Sequence, residues 1–312
     1  MYSIFHRVRA QDWRSTAAGM MLLRRRKLRR LLSWLGTAWL CATLSAQTKT
    51  AKTPTPQDAI VLGRTPLDRG YADMYNLQFA QAHAEFAAWM QAHPEDPMGP
   101  ASDAAAYLFT EFARLHVLDI DLFDDDTHFE SRGRRVADPK IRAAFTKDLE
   151  QADDLATAVL KKAPQDANAL FAETLIHGLH ADSVQMIDGR DFAGLRYTET
   201  ASQYAERLLA VAPSMKDAYM AVGLENYILG LKPAPIRWLL RMTGAETNAA
   251  LGRQDMALAA TQGHYLAPFA RLLLAVAALR DKDRTKARQI LASLAAEFPN
   301  NPLYARQLAK IQ

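Results

Sequence analysis

The sequence predicts an all-α protein, a repeat solenoid of helical hairpins stacked one on the next. Three observations predict it. Four segments, at 79–97, 149–167, 201–219 and 285–304, share one pattern of alanines and larger apolar residues at helical spacing, closed by a proline. No segment shows the sustained alternation and hairpin turns of strands. The pattern recurs along most of the chain after residue 58, as expected when each unit buries an apolar face against its neighbour.

The elements follow in order. Arg24, Arg25, Arg26, Lys27, Arg29 and Arg30 precede a mostly apolar stretch from Leu31 to Leu44, then Ser45 and Ala46. This is the basic, apolar and small-residue order of a secretory signal, and the apolar part is short of the roughly 20 residues of a membrane span. Residues 1–46 are therefore read as a signal peptide cleaved after Ala46, with Met20 or Met21 as an alternative start. The expected location is the periplasm or cell envelope of a bacterium, soluble after cleavage. Residues 47–58, rich in Thr, Lys and Pro, read as a flexible linker, and 59–312 as the repeat domain.

Removing the leader changes the charge. Residues 1–46 hold nine of the 38 basic residues and one of the 34 acidic ones, so the remainder carries 29 against 33, a net of −4. A basic footprint for nucleic acid is therefore not expected. Cys41, the single cysteine, leaves with the signal, and no disulfide or thiolate chemistry is expected afterwards.

In the first repeat Leu67–Asn76 and Gln78–Ala92 read as paired helices, with Ala82, Phe86 and Trp89 facing inward and Pro94 as the stop. Ala152, Ala156 and Val159 precede Pro164; Ala201, Ala205 and Leu208 precede Pro213; Ala287, Leu291 and Leu294 precede Pro299. Antiparallel helices cross closely only where a side chain is small, and larger neighbours one turn away fill the flanks. Proline then ends the helix because it cannot donate to it. Gly223, Thr174, Ala275 and Ala278 occupy close-contact positions in the partner helices, and residues 183–194 read as a loop or short extra helix.

These hairpins resemble the tetratricopeptide repeat, and residues 74–86 and 223–279 look like a divergent branch related to the tetratricopeptide repeat protein 39 group. The Pro164-to-Pro213 step of 49 residues departs from the family, whose repeat is about 34. The resemblance implies a TPR-like alpha-alpha superhelix whose first helices line a concave groove. In that register the lining is Phe171, Leu175 and Leu179, then Met220, Leu224, Tyr227 and Ile228, then Phe269, Leu272, Val276 and Leu279. It suits an apolar or amphipathic peptide segment of another envelope protein. The alternative is that the superhelix closes and these residues are core.

Chemistry-bearing groups are sparse. The segment 119–130 holds Asp119, Asp121, Asp124, Asp125, Asp126, His128 and Glu130, oxygen ligands suited to a hard cation. Its spacing is not that of a calcium loop, and no glycine makes the turn. A solvated loop is the competing reading. Glu173, His177 and His180 share a helix face with Asp182 nearby, a spacing compatible with zinc or with packed, hydrogen-bonded histidines. Arg237, Trp238 and Arg241 lie in a short amphipathic stretch, read as a peripheral docking helix or an inter-repeat helix. No nucleophile elbow, zinc-protease motif or phosphate loop occurs. The expected function is a non-catalytic protein–protein interaction adaptor or scaffold of the envelope, not an enzyme and without a cofactor. The alternatives are a cation-dependent carbohydrate-binding or enzymatic protein using the 119–130 loop, and a self-associating structural subunit.

Overall fold

The computed structural model describes residues 64–119, 135–231, 238 and 247–311. The signal, the linker and most of the acidic segment (121–130) lie outside them, as do Arg237 and Arg241. The chain divides into two compact units: residues 60–228 with 248–312, and residues 1–59 with 229–247. Few residues of the second unit are described; among them Trp238 is 64% exposed.

The larger unit is all helix among its described residues: α1 (Pro66–Tyr75), α2 (Phe79–Ala92), α3 (Met98–Arg114), α4 (Pro139–Lys162), α5 (Ala167–Met186), α6 (Asp191–Val211), α7 (Ala218–Gly230), α8 (Ala249–Gln262), α9 (Ala267–Arg280), α10 (Arg284–Glu297) and α11 (Pro302–Lys310). Consecutive helices pack on one another from α1 through α6 and again from α8 through α11. This is the arrangement of an α–α solenoid. Helix starts are set locally. Thr65 and Asp68 form a reciprocal capping box with Pro66 in the first turn; Asp138, Asp166, Asn248, Asp283 and Asn301 each accept a first-turn amide. Such caps satisfy amides that have no partner inside the helix.

The alanine ladder holds the hairpins together. Pro94, Pro164, Pro213 and Pro299 each stand two residues past a helix end. Twelve residues before each stands Ala82, Ala152, Ala201 or Ala287, all at 0–2% exposure. Gly223 meets Gly252 where α7 crosses α8: a methyl on Gly252 would lie 2.5 Å from the carbonyl oxygen of Gly223 and from the amide nitrogen of Tyr227. The backbones touch directly there, which only a missing Cβ allows.

One local reading needs correction. Residues 183–194 are not an added loop or extra helix. The additional length goes into α5 and α6, of 20 and 21 residues, and the turn between them is only 187–190, made by Gly189 at φ 64°, a left-handed conformation that glycine adopts without a Cβ penalty. Helix α3 was not delimited from the sequence, because its first half is mostly Gly, Ala, Ser and Asp and lacks large apolar markers.

The unit closes on itself. The Tyr75 hydroxyl donates to the carbonyl of Tyr265 at 2.8 Å, and His264 Nε2 lies 2.7 Å from Asp68 Oδ1. Tyr71 and Tyr265 pack at 4.6 Å between centroids, Tyr75 and Phe298 at 5.5 Å. Burial raises the Asp68 pKa, but hydrogen bonds from Thr65 and His264 outweigh it and hold the carboxyl below its ordinary value. Asn301 is the central latch: its oxygen caps α11 at Leu303, while its amide donates to the carbonyl of Tyr75 at 2.8 Å. Asn301→Ala removes a cap and leaves a buried carbonyl unpaired. The expected loss is about 2 kcal/mol, read by urea unfolding, with faster amide exchange in α1. Unchanged exchange in α1 would mean that closure does not depend on this latch.

Candidate functional site: an interior cavity with one acid

Closure turns the expected groove inward. Phe171, Leu175, Leu179, Met220, Tyr227, Leu272 and Val276 are buried, and Leu224, Ile228, Phe269 and Leu279 are half-buried. Leu175, Leu179, Met220, Leu224 and Phe269 surround one cavity of about 80 Å³. The residues of that register are thus buried or half-buried, and five of them border this cavity. Tyr71, Met74 and Tyr75 of α1 and Ala105 and Phe109 of α3 supply the opposite wall. The reason is the short solenoid: first and last hairpins come within reach and bury each other's apolar faces.

Helix α5 supplies the cavity's chemistry. Thr174, Leu175, Gly178, Leu179, Ala181 and Asp182 all line it. A Cβ placed on Gly178 would meet nothing within 4 Å, so this glycine opens space and is not squeezed. Thr174 donates to the carbonyl of Leu170 and Thr198 to that of Gly194, so these wall hydroxyls spend their protons inside their own helices. Asp182 differs. It makes no hydrogen bond or ion pair with any described residue, and burial alone pushes its carboxyl up to about 7. It lies deep in the molecule yet keeps some accessible surface; both hold because it faces the cavity.

The Glu173–His177–His180 face lies about half a turn around α5 from Asp182, since nine residues span two and a half turns. Glu173 Oε2 is 3.5 Å from His177 Nε2. His177 stacks on Tyr204 at 5.5 Å and His180 on Tyr197 at 4.9 Å. Burial lowers the pKa of both histidines, and burial with the Asp153 charge pushes Glu173 up to about 7. These are packed rings beside a buried acid, and Asp182 does not join them. Among the described residues no three His, Cys, Asp or Glu side chains are placed to hold a metal. Of the acidic segment only Asp119 is described; it accepts from Gln307 Nε2 at 2.9 Å and faces His116 at 3.7 Å, within the closure between the first and last helices.

A second acidic cluster joins α2, α3 and α4. His83 bonds Asp103, and Asp148, buried and facing the Asp103 charge, is pushed up to about 7. It adds polar contacts between hairpins.

Compared with family models, with curated proteins and with solved structures, the chain matches none.

Sequence reasoning missed the pairing of Gly178 with Asp182. The available signal was a glycine and an acid four residues apart on an otherwise apolar inner stripe, one turn from the Thr174 close-contact position.

Proposed function

We propose that the chain is a non-catalytic interaction module of the bacterial envelope, an adaptor built on TPR-like hairpins and exported by its basic–apolar leader. What carries the reading is the sequential helix-on-helix packing of an α–α solenoid, an architecture that stacks repeats into binding surfaces. The acidic remainder of the chain, net −4 after the leader, argues against a nucleic-acid partner. The inner face is occupied by the chain's own closure, so the partner engages the outer surface of the hairpins.

Photo-crosslinkers at the exposed positions Gln91, Lys161 and Arg306, in the chain expressed from its own leader, test this. The expected result is a mature N-terminus at Gln47 in the exported fraction and a crosslink to one envelope protein from some of these positions but not others. Retention of the leader in the cytosolic fraction would end the export part of the proposal. A folded, exported protein with no position-dependent crosslink would end the adaptor part, and crosslinks only to a second copy would mean a self-associating subunit instead.

A further inference from the structure

An isolated carboxyl in an apolar cavity is an unfavourable arrangement unless something meets it. Transfer of an ionised carboxylate away from water without a partner is costly, and proteins pair such groups or neutralise them. Asp182 has no partner among the described residues, whereas Thr110, Thr174 and Asn301 each bond nearby backbone. The space beside it is built in. Gly178, one turn before Asp182 on the same face, has no atom within 4 Å of where its Cβ would stand. A glycine inside a 20-residue helix costs about 0.5–1 kcal/mol relative to alanine, yet no crowding requires it here. The cavity of about 80 Å³ is several times the roughly 10–15 Å³ that one water needs. Its remaining walls are mostly apolar, Leu175, Leu224 and Phe269 among them, and the Thr174 and Thr198 hydroxyls are bonded within their own helices.

We propose that this cavity is a binding site for a small primary amine with an apolar body, its ammonium group held by the Asp182 carboxylate and its hydrocarbon filling the space over Gly178. A bound cation supplies the missing charge-assisted hydrogen bond, and the apolar walls take up the alkyl part as in other small-molecule sites. An anion of the same size is rejected by the carboxylate, and a neutral alcohol forgoes the ion pair. The site lies between the helices and is separate from the outer surface invoked for an adaptor, so the two stand or fall independently.

The test is isothermal titration of the full chain at pH 8 with n-butylamine, n-butanol and butyrate, alongside Asp182→Asn and Gly178→Leu. Expected is saturable butylamine binding at least tenfold tighter than butanol, no binding of butyrate, and loss of butylamine binding in both variants while circular dichroism stays helical. Asp182→Asn is near-isosteric and removes a buried charge, so it keeps the fold; Gly178→Leu fills the space without touching the acid. Equal affinity for butanol and butylamine, butylamine binding that survives either variant, or no heat from any of the three, meaning that the cavity holds water alone, overturns the proposal.

Discussion

Gly252→Ala lowers the stability of this protein by about 2–3 kcal/mol, whereas Gly178→Ala raises it by about 0.5–1 kcal/mol. The chemistry of the two changes is identical. The surroundings differ. A methyl on Gly252 collides with backbone atoms of α7, 2.5 Å away at the carbonyl of Gly223 and the amide of Tyr227, and backbone cannot step aside as a flexible side chain can. The helices must part, which unpacks Met256, fully buried at the same crossing. At Gly178 the methyl enters open space, so only the gain in helix propensity remains. For a domain of this size each kcal/mol moves the thermal midpoint by roughly 2–4 °C, so the two variants separate by about 5–15 °C in opposite directions from the parent. Equal effects of the same sign would show that α7 and α8 do not cross at these glycines.

Asp182→Asn makes the protein more stable, and does so only toward higher pH. The ordinary carboxyl pKa of 3.8 is pushed up to about 7 at Asp182. Between those values the folded chain holds a proton that the unfolded chain has released. Stability therefore falls as pH rises through this window and levels off above about 7. One pKa unit is about 1.4 kcal/mol, so a rise from 3.8 to about 7 gives the asparagine variant a gain of roughly 4 kcal/mol over the parent at pH 8 and little at pH 4. Asp148 and Glu173 are also pushed up to about 7 and add to the parent's slope, but they are present in both proteins, and the difference isolates Asp182. Around the cavity the other titratable groups are Tyr71 and Tyr75 of α1, both driven upward by burial and neutral throughout this range; α3, α6, α7 and α9 present no charged side chain to it. Urea unfolding at pH 4, 6 and 8 measures the difference. A gain that is the same at all three values would mean that Asp182 titrates as an exposed acid and faces water, not the cavity.

These expectations rest on different layers of information. The hairpins were legible in the chain itself, because a helix and its stop are local. Ala152, Ala156 and Pro164 lie within 13 residues, and the small-large spacing that lets two helices touch needs no knowledge of anything distant. The same local pattern placed Gly223 at a close contact, where the structure has it against Gly252. The inner-face residues were legible as a stripe, since Leu175 and Leu179 repeat at one turn on α5 and Met220 and Leu224 on α7. Residues 183–194 were misread because a polar, glycine-containing stretch looks like a loop, while in the structure most of it continues two long helices that bury their far ends on one another.

What the stripe faces was decided only in three dimensions. The Tyr75–Tyr265 and Tyr75–Asn301 bonds join residues 190 and 226 positions apart, and no periodicity in a single chain encodes whether a short stack stays open or meets itself. The same closure turns Asp182 from one more polar residue near two histidines into a lone acid inside an apolar cavity. By itself the sequence determined the helices, their order and their sticky faces, because those depend on neighbours a few residues away. The tertiary structure decided which faces meet and what space is left between them, because that depends on contacts between the first helix and the last.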